Sequence, residues 1–511
     1  MNRRIPFSSL NPQEVSMKLR GFKAGALFAC VVFSMMSCTT QPKNELTVLI
    51  RMMPAQDRYF RDEIIPAFEE QYNCKVNVAT FNSQWDIERL LKLDAGKKAP
   101  EISLVKTPFE MTRVLAKKGL MKPLTEAVDS FRVNQDMAEY HQLASGLGFI
   151  DGRAYYIPRK LETRILFYRK SMVADAVTKL PAHKPRIQEA LKKQNGYGLP
   201  AGYELEEDPG QWDFYDLYVV GSIWANEEYS GVKMGRVAHR GARYGGTALF
   251  LVDRALQLGA TKEDILRLDS PHMVETYLWE RVFVRNGLYN PGMWNDPWKG
   301  SDIYNGIKDG KVFLAYFQQI DNFLVHGWPE DAAMPTYLPD PDDMGLSVVP
   351  QAVSFRLDKS GNPLNEGNRA ISTGGWWWGI PKAAVNDSLA YELARFITNK
   401  DNQAEEVSRF GMLPVRKDIL SNFPKVFPEG WVGEIFKTSV DQLKINELTT
   451  VPLVEQYSLV GKNLVEAWYK LCVEYDADKS GEMSFDKMGS ALASGFLDEQ
   501  KEILAGDYPT P

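Results

Sequence analysis

Apolar runs and helical periodicities alternate along the chain from Leu46 onward, and this alternation restricts the fold more than any other feature. LTVLIRM from Leu46 is a near-continuous apolar strand, after which Phe60, Ile64, Ile65, Phe68 and Tyr72 recur at helical spacing. KVNVATF from Lys75 alternates as a strand, and Ser83 caps a helix carrying Ile87, Leu90 and Leu91. Glu101 to Val105 is a third strand behind the breaker Pro100, and a helix with Met111, Val114 and Leu115 follows. A βαβαβα order with buried strands predicts an α/β fold with a doubly wound, mostly parallel sheet. Ligands of such sheets bind beyond the carboxyl ends of the strands, which puts Met53, Pro54 and Ala55, Asn82 to Trp85, and Lys106 with Thr107 at a cleft rim.

Ahead of this region, AGALFACVVFSMM from Ala24 follows Arg20 and Lys23 and ends at Ser37-Cys38. The run is too short to span a bilayer. A basic segment, an apolar segment and a small residue before the cleavage point describe a secretory signal over residues 1–37. Its MMSC ending resembles the bacterial lipobox, in which a diacylglyceryl group is placed on the cysteine and the peptide is cut in front of it. Cys38 is therefore the expected lipidation site, with residues 38–44 as anchor and polar tether. Met17, directly before Lys18, is the expected translation start.

Beyond the signal, roughly 470 residues suggest two or three domains. With 44% hydrophobic and 25% charged residues the composition is globular, and a net charge of −6 with dispersed Lys and Arg excludes a nucleic-acid partner. Twelve Trp stand out, because a flat ring face matches the apolar C–H face of a pyranose, although most aromatic residues will be core. Once Cys30 leaves with the signal and Cys38 is lipidated, Cys74 and Cys472 remain, either as one disulfide or, as favoured here, as two small hydrophobes. His141, His183, His239, His272 and His326 are far apart, with no HExxH or CxxC, so no metal or other cofactor is expected.

The strand, helix and turn sequences together resemble family 1 extracellular solute-binding proteins, the maltodextrin-binding-protein-like group. LTVLIRM, PAFEEQYNCKVNV, LLKLDAGKKAPEISLV and LAKKGLMKPL carry the first part of the likeness. AYYIPRKLETRILFYRKSM from Ala154 looks like the family's first crossover, DGKVFLAYFQQIDNF from Asp309 like its cleft strand, and GGWWWGIPK from Gly374 like its return crossover. AYELARFITNKDNQ from Ala390 and FGMLPVRKDI from Phe410 continue in order. Between about Gln211 and Pro297 the pattern departs; the glycine-rich HRGARYGGT from His239 lacks phosphate-cradling spacing and is expected to be a loop joining helices.

The resemblance implies a two-lobed periplasmic-binding-protein type 2 fold with a hinged cleft. Lobe one takes residues 45–157 and 376–425, and lobe two takes 158–375 and 426–511. It also implies a lipid-anchored, monomeric substrate-binding component of an ABC importer, in the periplasm or on the cell surface, that hands a carbohydrate ligand to ABC permease subunits. Candidate ligand residues are Trp85, Lys106, Tyr156, Gln318, Gln319, Asp321 and Trp376, while Trp212 with Asp213 resembles a structural helix start. Within GGWWWGI, strand alternation sends Trp376 and Trp378 to one side and Trp377 to the other.

Other readings were weighed on the same residues. DADKSGEMSFDK from Asp476 follows a calcium loop at its first, third, fifth and sixth positions. Its twelfth is Lys487, the wrong charge for a bidentate ligand, so a structural turn is expected. A polyamine or phosphodiester solute would use the same fold. A glycan-degrading enzyme lacks a recognisable carboxylate motif, and a surface scaffold lacks repeats or stalks.

Overall fold

The computed structural model describes residues 44–328, 334–421, 429–446, 449–474 and 483–506. The signal, Cys38 and most of the tether lie outside the described residues, as do residues 475–482 of the calcium-like loop. Eleven strands are described: β1 (Glu45–Ile50), β2 (Lys75–Thr80), β3 (Ile102–Pro108), β4 (Phe149–Ile150), β5 (Arg153–Ala154), β6 (Tyr156–Glu162), β7 (Arg164–Arg169), β8 (Val237–Ala238), β9 (Leu314–Gln318), β10 (Met344–Ser347) and β11 (Gly374–Gly379). Among the described residues no helix is long and apolar enough to cross a membrane.

The strands form two principal sheets, ordered β2-β1-β3-β11-β6 and β10-β7-β9-β8. β1 pairs in parallel with β2 and β3, because helices carry the chain back between them. The first of these helical stretches ends at Asn73, whose φ of 46° lies in the left-handed region that Asn tolerates, and the chain turns there into β2. β3 and β6 are buried along their whole length, which is why their sequences do not alternate cleanly.

The sheets are mixed, which corrects the expectation of mostly parallel ones. β11 runs antiparallel to β3 and β6, and β7 runs antiparallel to β9 and β10. The cause is the route of the chain. A strand arriving directly from the other sheet starts at the edge where its new neighbours end, so it must run against them.

Two passages join the sheets. β6 pairs with β11 through Glu162, so the first passage falls at Thr163 rather than near residue 157, and the return runs through Ser372 and Thr373 into β11. The Arg164 guanidinium ties them together, donating to Ser372 Oγ at 2.9 Å and to Asp253 Oδ1 at 3.1 Å. Asp253 in turn accepts from Ser372 N (2.9 Å) and Ser372 Oγ (2.7 Å). Asn446, ending the Trp431–Asn446 helix, donates to Thr163 Oγ1 (3.2 Å) and Thr373 Oγ1 (3.5 Å) and accepts from Ile371 N (3.1 Å).

Cys74 precedes β2 while Cys472 is buried against the Tyr277 carbonyl; both are free thiols.

Candidate functional site

The passages bring the ends of both sheets together around one carboxylate, Glu162, at the carboxyl end of β6. Trp376 Nε1 donates to its Oε1 at 3.1 Å, the Lys160 ammonium pairs with the same oxygen at 2.5 Å, and Gln318 Nε2 reaches across from β9 to Oε2 at 2.8 Å. Burial would raise this carboxyl, but Lys160, Lys106 and Arg240 hold it below its ordinary value. Lys106, from β3, is buried. Its ammonium donates to the Arg51 carbonyl at 2.6 Å and rests 4.1 Å from the centre of the Trp376 ring. Burial, then the like charges of Arg159 and Lys160, push its pKa well below the usual value.

The opposite wall is built by local capping. Gln318 precedes the Gln319–His326 helix, and the carboxylate of Asp321 reaches back to the Gln318 backbone N–H at 3.1 Å. Asp321 also pairs with Arg240 at 2.8 Å and accepts from the Tyr304 hydroxyl. Arg240 lies just past the carboxyl end of β8, and its guanidinium reaches Gln318 Oε1 at 3.4 Å. Arg51, immediately after β1, has its pKa lowered by burial; Tyr244 offsets this and Arg240 adds to it, which places both within electrostatic reach. Burial pushes the nearby Glu110 carboxyl up to about 7, with Glu162 adding to the effect, so Glu110 carries only part of its charge near neutral pH.

Lys106, Gln318 and Trp376 therefore converge on Glu162, and Asp321 joins them through Gln318 and Arg240. Three candidates do not. Tyr156 is fully buried and its hydroxyl donates to the Thr112 carbonyl at 2.8 Å, so it serves the core. Gln319 is fully buried and accepts from Thr163 N at 3.2 Å, bracing the first passage instead of facing a ligand. Trp85 is half-buried at a separate groove of about 400 Å³ that it lines with Arg243, Leu459, Lys462, Glu466 and others. Trp212 is buried with Nε1 on the Glu206 carbonyl, and Asp213 caps the helix Phe214–Asn226.

Sequence reasoning missed Arg51, Lys160, Glu162, Arg240 and Tyr244. Arg51 directly follows β1 and lies two residues before the rim residue Met53, so the strand-end rule would have found it. HRGARYGGT joins β8 to the helix Gly245–Gln257 rather than joining two helices. Its Gly245 marks a close approach, since a Cβ there would meet Gln84 Nε2 at 2.0 Å. Among the described residues no cluster of His, Cys, Asp and Glu has the arrangement of a metal site.

Two mixed α/β sheets, joined by strands that cross beside a polar, tryptophan-bearing cleft, define a two-lobed binding protein. The chain belongs to the bacterial extracellular solute-binding protein family, whose sequence profile matches residues 63–427. Members of this family bind solutes and are not enzymes. Solved structures share the fold across nearly the whole chain. T. maritima MalE3 bound to maltose has 16% identity and a TM-score of 0.65, covering 90% of this chain and 100% of its own. The GacH receptor of Streptomyces glaucescens, solved with acarbose, has 16% identity and a TM-score of 0.63 over 91% and 99%. Lmo0181 of Listeria monocytogenes, solved with cycloalternan, has 16% identity and a TM-score of 0.62 over 91% and 100%.

Proposed function

We propose that the protein is the substrate-binding component of an ABC importer and captures a sugar or oligosaccharide in the cleft around Glu162, acting as a monomer that presents its solute to permease subunits. The observation that carries this reading is Trp376, a half-buried indole at the mouth of β11 surrounded by the polar side chains of Glu162, Lys106 and Gln318. An aromatic face beside convergent donors and acceptors matches a pyranose, which is apolar on its faces and hydroxylated at its rim. The maltose, acarbose and cycloalternan complexes of fold relatives lend support. Two lobes, divided near the passages at Thr163 and Ser372, would close as the solute adds contacts to the second wall, and the closed form is what a permease would read. Arg51 and Lys106, which form no ion pair among the described residues, oppose a polyamine.

A thermal-shift screen tests the reading. A solute present at 100 times its dissociation constant and bound only by the native state adds about 2.7 kcal/mol. Saccharides should raise the melting temperature; a shift with polyamines or phosphodiesters and with no saccharide would sink the sugar assignment.

We further propose that Cys38 carries a lipid anchor, on the strength of the MMSC sequence and the polar stretch behind it. The full-length protein is expected to partition into detergent and the Cys38→Ser variant to stay in the aqueous phase while binding solute normally. Equal partitioning of the two would remove the anchor.

A further inference from the structure

The cleft carries positive charge that its own carboxylates do not neutralise. Arg51, Lys106, Lys160 and Arg240 gather there, and the carboxylates of Glu162 and Asp321 are already matched by Lys160 and Arg240. Among the described residues, neither the Lys106 ammonium nor the Arg51 guanidinium has a carboxylate within ion-pair distance. Lys106 is only 2% exposed, and the direct partners of its head group are one carbonyl and the face of an indole, with Glu162 within electrostatic reach. A buried ammonium with neutral partners is costly, and an incoming anion removes that cost.

The position of Lys106 adds an independent argument. Its ammonium occupies a face of Trp376 on which a sugar ring would stack, and Phe81 is offset-stacked on the same indole with ring centres 6.5 Å apart. A neutral sugar would have to displace the ammonium without offering it a partner. A sugar with its own anion draws it off the ring while docking. Arg51 and Arg240, which follow strands of different sheets, lie within electrostatic reach of each other, so an anion bound near both meets two guanidinium groups.

Building on the sugar reading of this cleft, we infer that the solute is an acidic sugar whose carboxylate is held by Arg51 and Lys106, with Arg240 facing it from the second sheet. A carboxylate suits the site better than a phosphate does. The guanidinium fork matches two oxygens of either anion, but the glycine-rich loop bearing Arg240 lacks the spacing that cradles phosphate. Both oxygens of Glu162 are occupied by donors, so this carboxylate does not compete for Arg51. An anion beside Lys106 also restores the charge that burial suppresses.

The test is calorimetric titration of the intact protein with glucuronate- and galacturonate-containing di- to tetrasaccharides, and with the same compounds after reduction of their carboxyl groups to neutral sugars. The acidic panel should bind about tenfold to a hundredfold more tightly than the reduced panel. Lys106→Met should erase most of that preference, bringing the affinity for the acidic panel down toward that for the reduced one. Arg51→Gln, at a half-buried position outside the strands, serves the same purpose if Lys106→Met fails to fold. Equal affinity for the two panels, or tighter binding of the reduced one, overturns the acidic-sugar assignment and leaves the sugar reading standing. Tighter binding of glucose 1-phosphate than of any uronate overturns the carboxylate. Binding of none of these compounds overturns both readings.

Discussion

Trp377→Ala lowers the melting temperature by several degrees and leaves the sugar affinity of the folded protein largely unchanged, whereas Trp376→Ala does the reverse. The two indoles are adjacent in β11, and strand geometry separates them. Trp377 is fully buried with Phe109 at 6.0 Å and donates Nε1 to the Ala144 carbonyl at 2.9 Å. Truncation leaves a large cavity and an unmatched carbonyl, a loss of about 3–5 kcal/mol. Trp376 shares its face with Trp378 and Lys106, but Trp378 is sealed against Phe60 at 6.1 Å and only Trp376 keeps part of its surface free. Losing a stacking contact there costs about 1–1.5 kcal/mol, close to tenfold in dissociation constant. Calorimetric titration and thermal denaturation of both variants decide the matter. Unchanged affinity in Trp376→Ala together with lost affinity in a folded Trp377→Ala would invert the assignment.

Asp253→Ala is expected to be at least as damaging, although Asp253 lies in neither main sheet. Its carboxylate is buried, and burial drives its pKa up, while Arg164 and the two Ser372 donors offset part of that pull. Removing it strands the Arg164 guanidinium in the interior with only the Ser372 carbonyl and hydroxyl as acceptors, and breaking a buried pair from one side costs about 3–5 kcal/mol. The double variant Arg164→Met, Asp253→Leu should recover part of the loss, because it buries no lone charge but still leaves Ser372 N without its acceptor. A melting temperature for Asp253→Ala equal to that of the wild type would show that this cluster contributes nothing.

The succession of β1, β2 and β3 could be read from the sequence because each strand depends on local periodicity, whereas both crossover segments came from the family resemblance. The direction of β11 could not, since it depends on which edge of the sheet the chain enters after more than two hundred residues elsewhere. The same limit explains the site. Lys106 sits toward the carboxyl end of β3, where a topological rule points, and Trp376 follows from the resembled crossover, whereas Glu162 matters only because Lys160, Gln318 and Trp376, from three strands, meet on it. Tyr156 fell next to the crossover by sequence count, yet its buried face points to Thr112. Arg240 was hidden in a segment whose glycines suggested only a connector.

The side chain of Asn446 has a mechanical consequence. A single primary amide grips both passages, through Thr163 on one and Ile371 and Thr373 on the other. Two linkers fastened at a common rivet cannot bend independently without breaking it, so twisting modes in which one flexes and the other stays still are suppressed. The remaining soft coordinate is a swing shared by both, and a force applied anywhere along the cleft feeds into that one coordinate.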